Sequence, residues 1–267
     1  MSELTFVGTR APRIDGVDKV SGAAEFVDDL DFGPDLLHAE IVESPHPHAL
    51  ILGIDTAAAE ALPGVVKVVT GADFPFTFGV YMKDRYVFAQ DRVRFVGEQV
   101  AAIVARTPQI AKRAAKLVEV TYEELPAILD PDAAIVEDAE LLHPDLADYP
   151  RVPWFFPHEH TNIAHWRKTR RGDVAEGFAA ADVVLEDTYE VPRYAHCAIE
   201  PHVVVGKYDL AGRLTMWTSS QSPYTQRNVF AETLAPLGLT HQDIRVITPY
   251  VGCLLYTSDA ADDRYKV

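Results

Sequence analysis

Short apolar runs separated by turn residues dominate the chain, and their spacing predicts alternating strands and helices. Leu37 to Glu43 reads as a strand, followed by the turn Ser44-Pro45-His46-Pro47-His48 and a second run from Leu50 to Ile54. Thr56 to Leu62 predicts a small helix closed by Pro63-Gly64, and Val65 to Val69 a buried strand. A looser aromatic stretch from Phe74 to Phe88 leads to an unbroken apolar strand from Gln99 to Ala105. Thr107 can cap a helix through its hydroxyl, Pro108 suits the first helical position, and Ile110, Ala114 and Leu117 recur on one face. The chain returns as a strand from Val118 to Tyr122, so residues 37–125 form one α/β layered unit.

The flanks differ. Residues 8–35 are rich in glycine, aspartate and proline and predict an extended arm. After Pro126 an acidic, proline-containing stretch reads as an interdomain linker. Beyond it, Asn162 to Lys168 and Val183 to Val191 predict strands flanking a short helix that Asp173 caps. Val203 to Tyr208 and Leu214 to Thr218 flank Asp209-Leu210-Ala211-Gly212 as a hairpin, and Ser222-Pro223 opens a helix to about Leu234. A last strand runs from Ile244 to Ile247.

Charge narrows the function. Among 267 residues, 40 Asp and Glu outweigh 24 Lys and Arg for a formal charge of −16. A nucleic-acid binder would need a basic footprint to displace counterions from phosphates, so that class is excluded. The two cysteines, Cys197 and Cys253, form no C-x-x-C pair, so any iron–sulfur cluster belongs to a partner. With no apolar run of membrane-spanning length and no basic-then-apolar start, the expected compartment is the cytoplasm.

Several residue groups could carry chemistry. His46, His48, His158, His160 and His165 lack the spacing of a metal set and read as structural or solvated. Ser219 and Ser220 lack the Gly-x-Ser-x-Gly elbow of a hydrolase, and no phosphate-binding glycine motif occurs. Cys197 reads as a buried structural thiol. The join Thr218-Ser219-Ser220-Gln221-Ser222-Pro223 is different: a strand end facing a helix N-terminus can present donors to an anionic or oxo group. Gln221 is either a ligand there or a plain helix cap.

Pro12-Arg13-Ile14-Asp15-Gly16, Lys19-Val20-Ser21-Gly22, Leu37-His38-Ala39-Glu40, Leu62-Pro63-Gly64-Val65 and Val96-Gly97-Glu98-Gln99-Val100-Ala101 come in an order that resembles one family. It is the molybdenum-binding large subunit of the xanthine dehydrogenase and aldehyde oxidase enzymes. Gly172-Asp173-Val174, His196 to Pro201 and the neighbourhood of Gln221 extend the likeness to about Gly252. The resemblance implies an α+β fold class. An α/β hammerhead domain (37–127) follows an N-terminal arm (1–36), and an acidic linker (128–157) leads to the N-terminal part of a mixed α+β molybdopterin-binding domain (158–252).

By the same likeness, Gln221 and Gly252 are the cofactor-binding residues, with Ser220 in place of the family's usual threonine, and Glu200 holds a strand near the cofactor. The implied activity is hydroxylation of an aldehyde or N-heterocycle with oxygen from water, the molybdenum–molybdopterin cofactor (Moco) acting as Lewis acid. Electrons would leave through [2Fe–2S] clusters to FAD on an iron–sulfur subunit and an FAD subunit. The family's catalytic glutamate falls beyond the matched residues, so none is assigned, and the fragment alone would be inactive. The alternative is a non-catalytic module that docks partner subunits. Past Gly252 the family continues with a glycine-rich turn, whereas the 15 residues from Cys253 to Val267 resemble translated adaptor sequence and are expected to be non-native.

Overall fold

The computed structural model describes residue 10, residues 12–192 and residues 197–252. The chain divides into two compact units, one holding residues 37–192 and the other combining the arm up to residue 36 with residues 197–252. The arm is more regular than its turn-rich composition suggests, since Gly16–Ser21 forms a helix (α1). Asp15 anchors it through an ion pair to Lys19 at 2.9 Å, one turn on.

The larger unit is built from β1 (His38–Glu43), β2 (Ala49–Asp55), α2 (Ala57–Glu60), β3 (Val65–Thr70), the two-residue strands β4 (Thr77–Phe78), β5 (Arg85–Tyr86) and β6 (Arg92–Val93), β7 (Gln99–Ala105), α3 (Pro108–Ala115) and β8 (Glu119–Glu124). Two antiparallel three-stranded sheets result, in the orders β1-β7-β3 and β6-β2-β8. The central strand β7 is apolar from Val100 to Ala105 because both its faces are covered. Ile103 and Ala105 pack with Ala111 and Ala114 of α3, while Val100 packs with Ala49 and Val93 of the second sheet. Strand β3, expected to be buried, lies at a sheet edge, and Val68 is its one fully buried residue.

Helix α3 starts as the sequence dictates, with the Thr107 hydroxyl accepting the Ile110 amide at 3.2 Å. It stops at Ala115, two residues before the last apolar position of its stripe. Gly64, just before β3, holds φ +94°, a conformation that favours glycine, and a Cβ there would also meet the terminal methyl of Ile110 at 2.6 Å.

The acidic stretch is a packed segment where a linker was expected. It carries α4 (Pro131–Ala134), buries Leu146, and joins the hairpin region of the hammerhead unit through an antiparallel bridge between Met82 and Arg151. The Lys83 amide donates to the Pro150 carbonyl at 2.8 Å and the Val152 amide to the Tyr81 carbonyl at 2.9 Å. Beyond it, α5 (Val174–Ala179) begins where expected, the Asp173 carboxylate accepting the Glu176 amide at 3.0 Å.

The two strands expected beside α5 do not form. Residues 162–168 are cross-tied by single bonds, such as Trp166 amide to Phe156 carbonyl at 3.0 Å, with no ladder. Residues 183–191 pair with nothing regular, and Leu185 and Val191 are 90% and 80% exposed. An apolar run supplies strand propensity, but a strand needs a neighbour to complete its ladder.

The smaller unit adds β9 (Val204–Tyr208), β10 (Leu214–Thr218), α6 (Pro223–Leu234) and β11 (Ile244–Ile247) in the order β11-β10-β9. Asp209 shapes the expected hairpin by accepting the amides of Ala211 and Arg213 at 2.9 and 3.0 Å. Strands β10 and β11 are parallel and α6 joins them, a strand–helix–strand crossover.

Candidate functional site

In a parallel pair both chains leave the sheet at the same end. Trp217 lies beside Ile247, so residues 218–222, from the last residue of β10 onward, and 248–252 after β11 emerge together at the carboxyl edge, where open α/β sheets bind ligands. Helix α6 begins immediately after the first of these segments, with its positive end toward them. Ser222 occupies the N-cap without a side-chain capping bond, so its hydroxyl leaves the amides of the first turn to other partners. The Arg227 guanidinium fixes α6 to the start of β11 by donating from Nε to the carbonyls of His241 and Ile244, each at 3.0 Å.

The wall of the site is polar and buried. Thr218, Ser219 and Ser220 are 6%, 3% and 3% exposed. The Ser219 hydroxyl accepts the Val203 amide at 3.4 Å, and the Ser220 hydroxyl accepts the Ser222 amide at 3.1 Å, which turns the chain so that Gln221 sits half-buried at the bend. In both bonds the serine oxygen is the acceptor of a backbone amide. On the neighbouring segment the buried Thr248 hydroxyl has no hydrogen-bond partner among the described residues. The His48 Nε2 atom and the Thr233 hydroxyl share that condition among the described residues, so the Thr248 hydroxyl is one of three buried polar atoms with hydrogen-bonding capacity to spare.

Gly252 lies at the far end of that segment, its amide donating to the Glu200 carboxylate. A Cβ at position 252 would stand 2.8 Å from the Glu200 Cβ, so only glycine permits the approach. Tyr250 donates its phenol to Asp18 at 2.5 Å, and that bond raises the phenol's pKa by favouring its protonated form. Sequence reasoning placed Gln221, Gly252 and Glu200 near one another but assigned nothing to Thr248, Tyr250 or Asp18. The 232-position separation of Asp18 and Tyr250 leaves no local signal.

Other sequence candidates are placed elsewhere. Cys197, expected to be buried, is exposed, and its backbone has φ +49°. Its chain conformation puts the side chain outward, against the composition-based preference of free cysteine for interiors. His48 is buried with Nδ1 2.9 Å from the Pro126 carbonyl, His46 lies 3.6 Å from the Glu124 carboxylate, and His165 accepts the Phe156 amide at 3.0 Å. Among the described residues no group of three or more histidine, cysteine or acidic side chains is arranged to hold a metal ion. His196 and Cys253 lie outside the described residues, as does the whole stretch 253–267.

A parallel strand pair whose exits meet a helix N-terminus, in a chain that also holds two antiparallel three-stranded sheets, is the arrangement to set beside known proteins. Residues 21–126 match the family described as aldehyde oxidase and xanthine dehydrogenase, a/b hammerhead domain, and residues 155–253 match the molybdopterin cofactor-binding domain. The chain belongs to the xanthine dehydrogenase and aldehyde oxidase family of molybdenum-binding large subunits.

A probable xanthine dehydrogenase subunit from Bacillus subtilis is 35% identical over 242 residues, 90% of this chain and 30% of that protein. The nicotinate dehydrogenase large molybdopterin subunit of Eubacterium barkeri is 34% identical over 248 residues, 92% of this chain and 54% of that subunit. The crystal structure of a Cu,Mo-CO dehydrogenase superposes with a TM-score of 0.79 at 33% identity, covering 92% of this chain and 31% of that one. The chain thus spans between about a third and about half the length of these relatives.

Proposed function

We propose that this chain forms the hammerhead and the first cofactor-binding segments of a molybdenum hydroxylase large subunit that oxidises a small aldehyde or N-heterocycle with oxygen from water. The observation that carries the reading is the paired exit of residues 218–222 and 248–252 at one end of the parallel pair, next to the start of α6. The residues fit a molybdopterin: an anionic, hydrogen-bond-rich group requires donors, and this edge offers the Gln221 amide, the Thr248 hydroxyl and the uncapped start of α6. When bound, that cofactor supplies Lewis-acid and two-electron redox chemistry.

The chain's own contribution is to orient and to exclude water. Ser219 and Ser220 accept amides that shape the bend at Gln221, the residue this reading assigns to the cofactor. Gly252 lets backbone come close where a side chain could not. Substrate class is drawn from the relatives, whose names include xanthine and nicotinate, both N-heterocycles. Electron acceptors on separate iron–sulfur and FAD subunits belong to the same proposal, as does a cytoplasmic setting. No helix among the described residues is long and apolar enough to cross a membrane.

The test is to purify the complete gene product with its co-purifying subunits, and to assay molybdenum, pterin, iron and flavin alongside dye reduction driven by aldehydes and N-heterocycles. Molybdenum with substrate-dependent reduction supports the enzyme; a stable complex devoid of molybdenum and pterin supports the docking module instead.

A further inference from the structure

Strand β11 is the edge of its sheet, and its ladder ends at Ile247, yet the following residues must hold a fixed course past the cofactor space. Two carboxylates from distant parts of the chain grip that course. Asp18, on α1 of the arm, accepts the Tyr250 phenol at 2.5 Å. Glu200, just before β9, accepts the Gly252 amide. The arm reinforces the first grip. Lys19 Nζ lies 5.8 Å from the centre of the Tyr250 ring, and the Phe26 ring lies 6.3 Å from it. Six residues further on, Phe32 meets Trp217 edge-on at 5.1 Å, so one arm touches both strand exits.

We propose that Asp18 is a positioning residue that, together with Glu200, whose holding role the family likeness already implies, clamps residues 250–252 as the backbone wall of the cofactor site; this rests on the reading of that site given above. Each acts by replacing the missing ladder bonds with a charge-assisted hydrogen bond, and a charged acceptor makes the stronger and shorter bond of the kind. Glycine at 252 is the geometric condition of the second bond, because any Cβ would push the Glu200 side chain away. The clamp also gives the arm a purpose that its sequence does not disclose: α1 is a strap over the exit of β11.

The clamp is tested in the complete gene product with its native subunits, comparing wild type with Glu200→Ala, Glu200→Gln, Tyr250→Phe and Asp18→Ala. Three readouts are taken: melting temperature, the molybdenum-to-protein ratio, and the line positions of the Mo(V) electron paramagnetic resonance signal. The clamp predicts near-native melting in the variants, with cofactor retention lowered about ten- to a hundredfold by Glu200→Ala and Tyr250→Phe and a displaced resonance in what remains. Glu200→Gln keeps an acceptor oxygen and recovers most of the loss.

Wild-type retention and an unshifted signal in both Glu200→Ala and Tyr250→Phe overturn the clamp while leaving the site reading intact. A wild type that holds no molybdenum removes the site reading and the clamp together. Should a variant fail to fold, hydrogen exchange on the wild type decides: the clamp predicts a strongly protected Gly252 amide, and exchange at the unprotected rate contradicts it.

Discussion

The Arg94 guanidinium donates from Nε to the Leu142 carbonyl at 3.0 Å, pinning the acidic stretch to the rim of the hammerhead unit. The Arg94 side chain is 9% exposed and lies 3.8 Å from Glu98, which also accepts the Arg94 amide at 2.5 Å. A cation held this deep must be answered by carbonyls and a carboxylate, so the 142–149 segment is part of the unit's electrostatic balance.

The neighbouring His143 gives that balance a pH signature. Burial, then the charges of Arg94, Arg92 and Arg85, lower its pKa to about 4 from the ordinary 6.5, with only Asp91 opposing. Its folded-state pKa is depressed, so the unfolded chain takes up a proton that the folded chain refuses. Stability is therefore full above about pH 6.5 and falls as the pH drops toward 4, by up to about 3 kcal/mol for this group. Urea denaturation at pH 7.5 and pH 5 should show the decline, and His143→Gln should remove this share of it; an identical decline in the variant contradicts the assignment.

Ile103 is the largest fully buried side chain, on the strand covered from both sides. Ile103→Ala should cost about 2–5 kcal/mol through lost burial and the cavity left behind, read as a lower denaturation midpoint at unchanged slope. A loss below about 1 kcal/mol would mean that the site collapses easily and that this core is less tightly packed than its burial indicates.

Thr107→Ala deletes the hydroxyl that accepts the Ile110 amide and should cost about 1 kcal/mol, whereas Thr107→Asp should retain most of the cap. Equal losses in both variants would show that the cap contributes nothing beyond the fixed geometry of Pro108.

The hammerhead unit was legible because its signals are local. A cap, a proline and a helical stripe announce α3, and an unbroken apolar run announces β7. The hairpin at Asp209 and the helix at Pro223 were readable for the same reason, and with them the position of Gln221. What escaped was non-local. Val183 to Val191 has the side chains of a strand but pairs with no neighbour among the described residues, and its apolar groups are exposed there. The acidic stretch reads as a linker by composition, yet backbone bonds to Tyr81 and Lys83 and the Arg94 side chain hold it down, and composition does not encode those partners. Tyr250 and Asp18 meet only because the arm doubles back, a fact that no spacing reveals.

The exposed 183–191 segment leads to a further expectation. Its apolar surface should bind a hydrophobic dye such as ANS when this chain is expressed alone, and added Lys at Leu185 (Leu185→Lys) should lower that signal and the tendency to aggregate. Unchanged dye binding would place the sticky surface elsewhere.

The most direct measurement of the central claim is the molybdenum and pterin content of the purified complete gene product beside its Gln221→Ala variant. If residues 218–222 and 248–252 cradle the cofactor, wild type carries both, and the variant, folded to the same melting temperature, loses about tenfold in retention or turnover. A Gln221→Ala protein with wild-type content and wild-type turnover would contradict the placement of the cofactor at this strand edge.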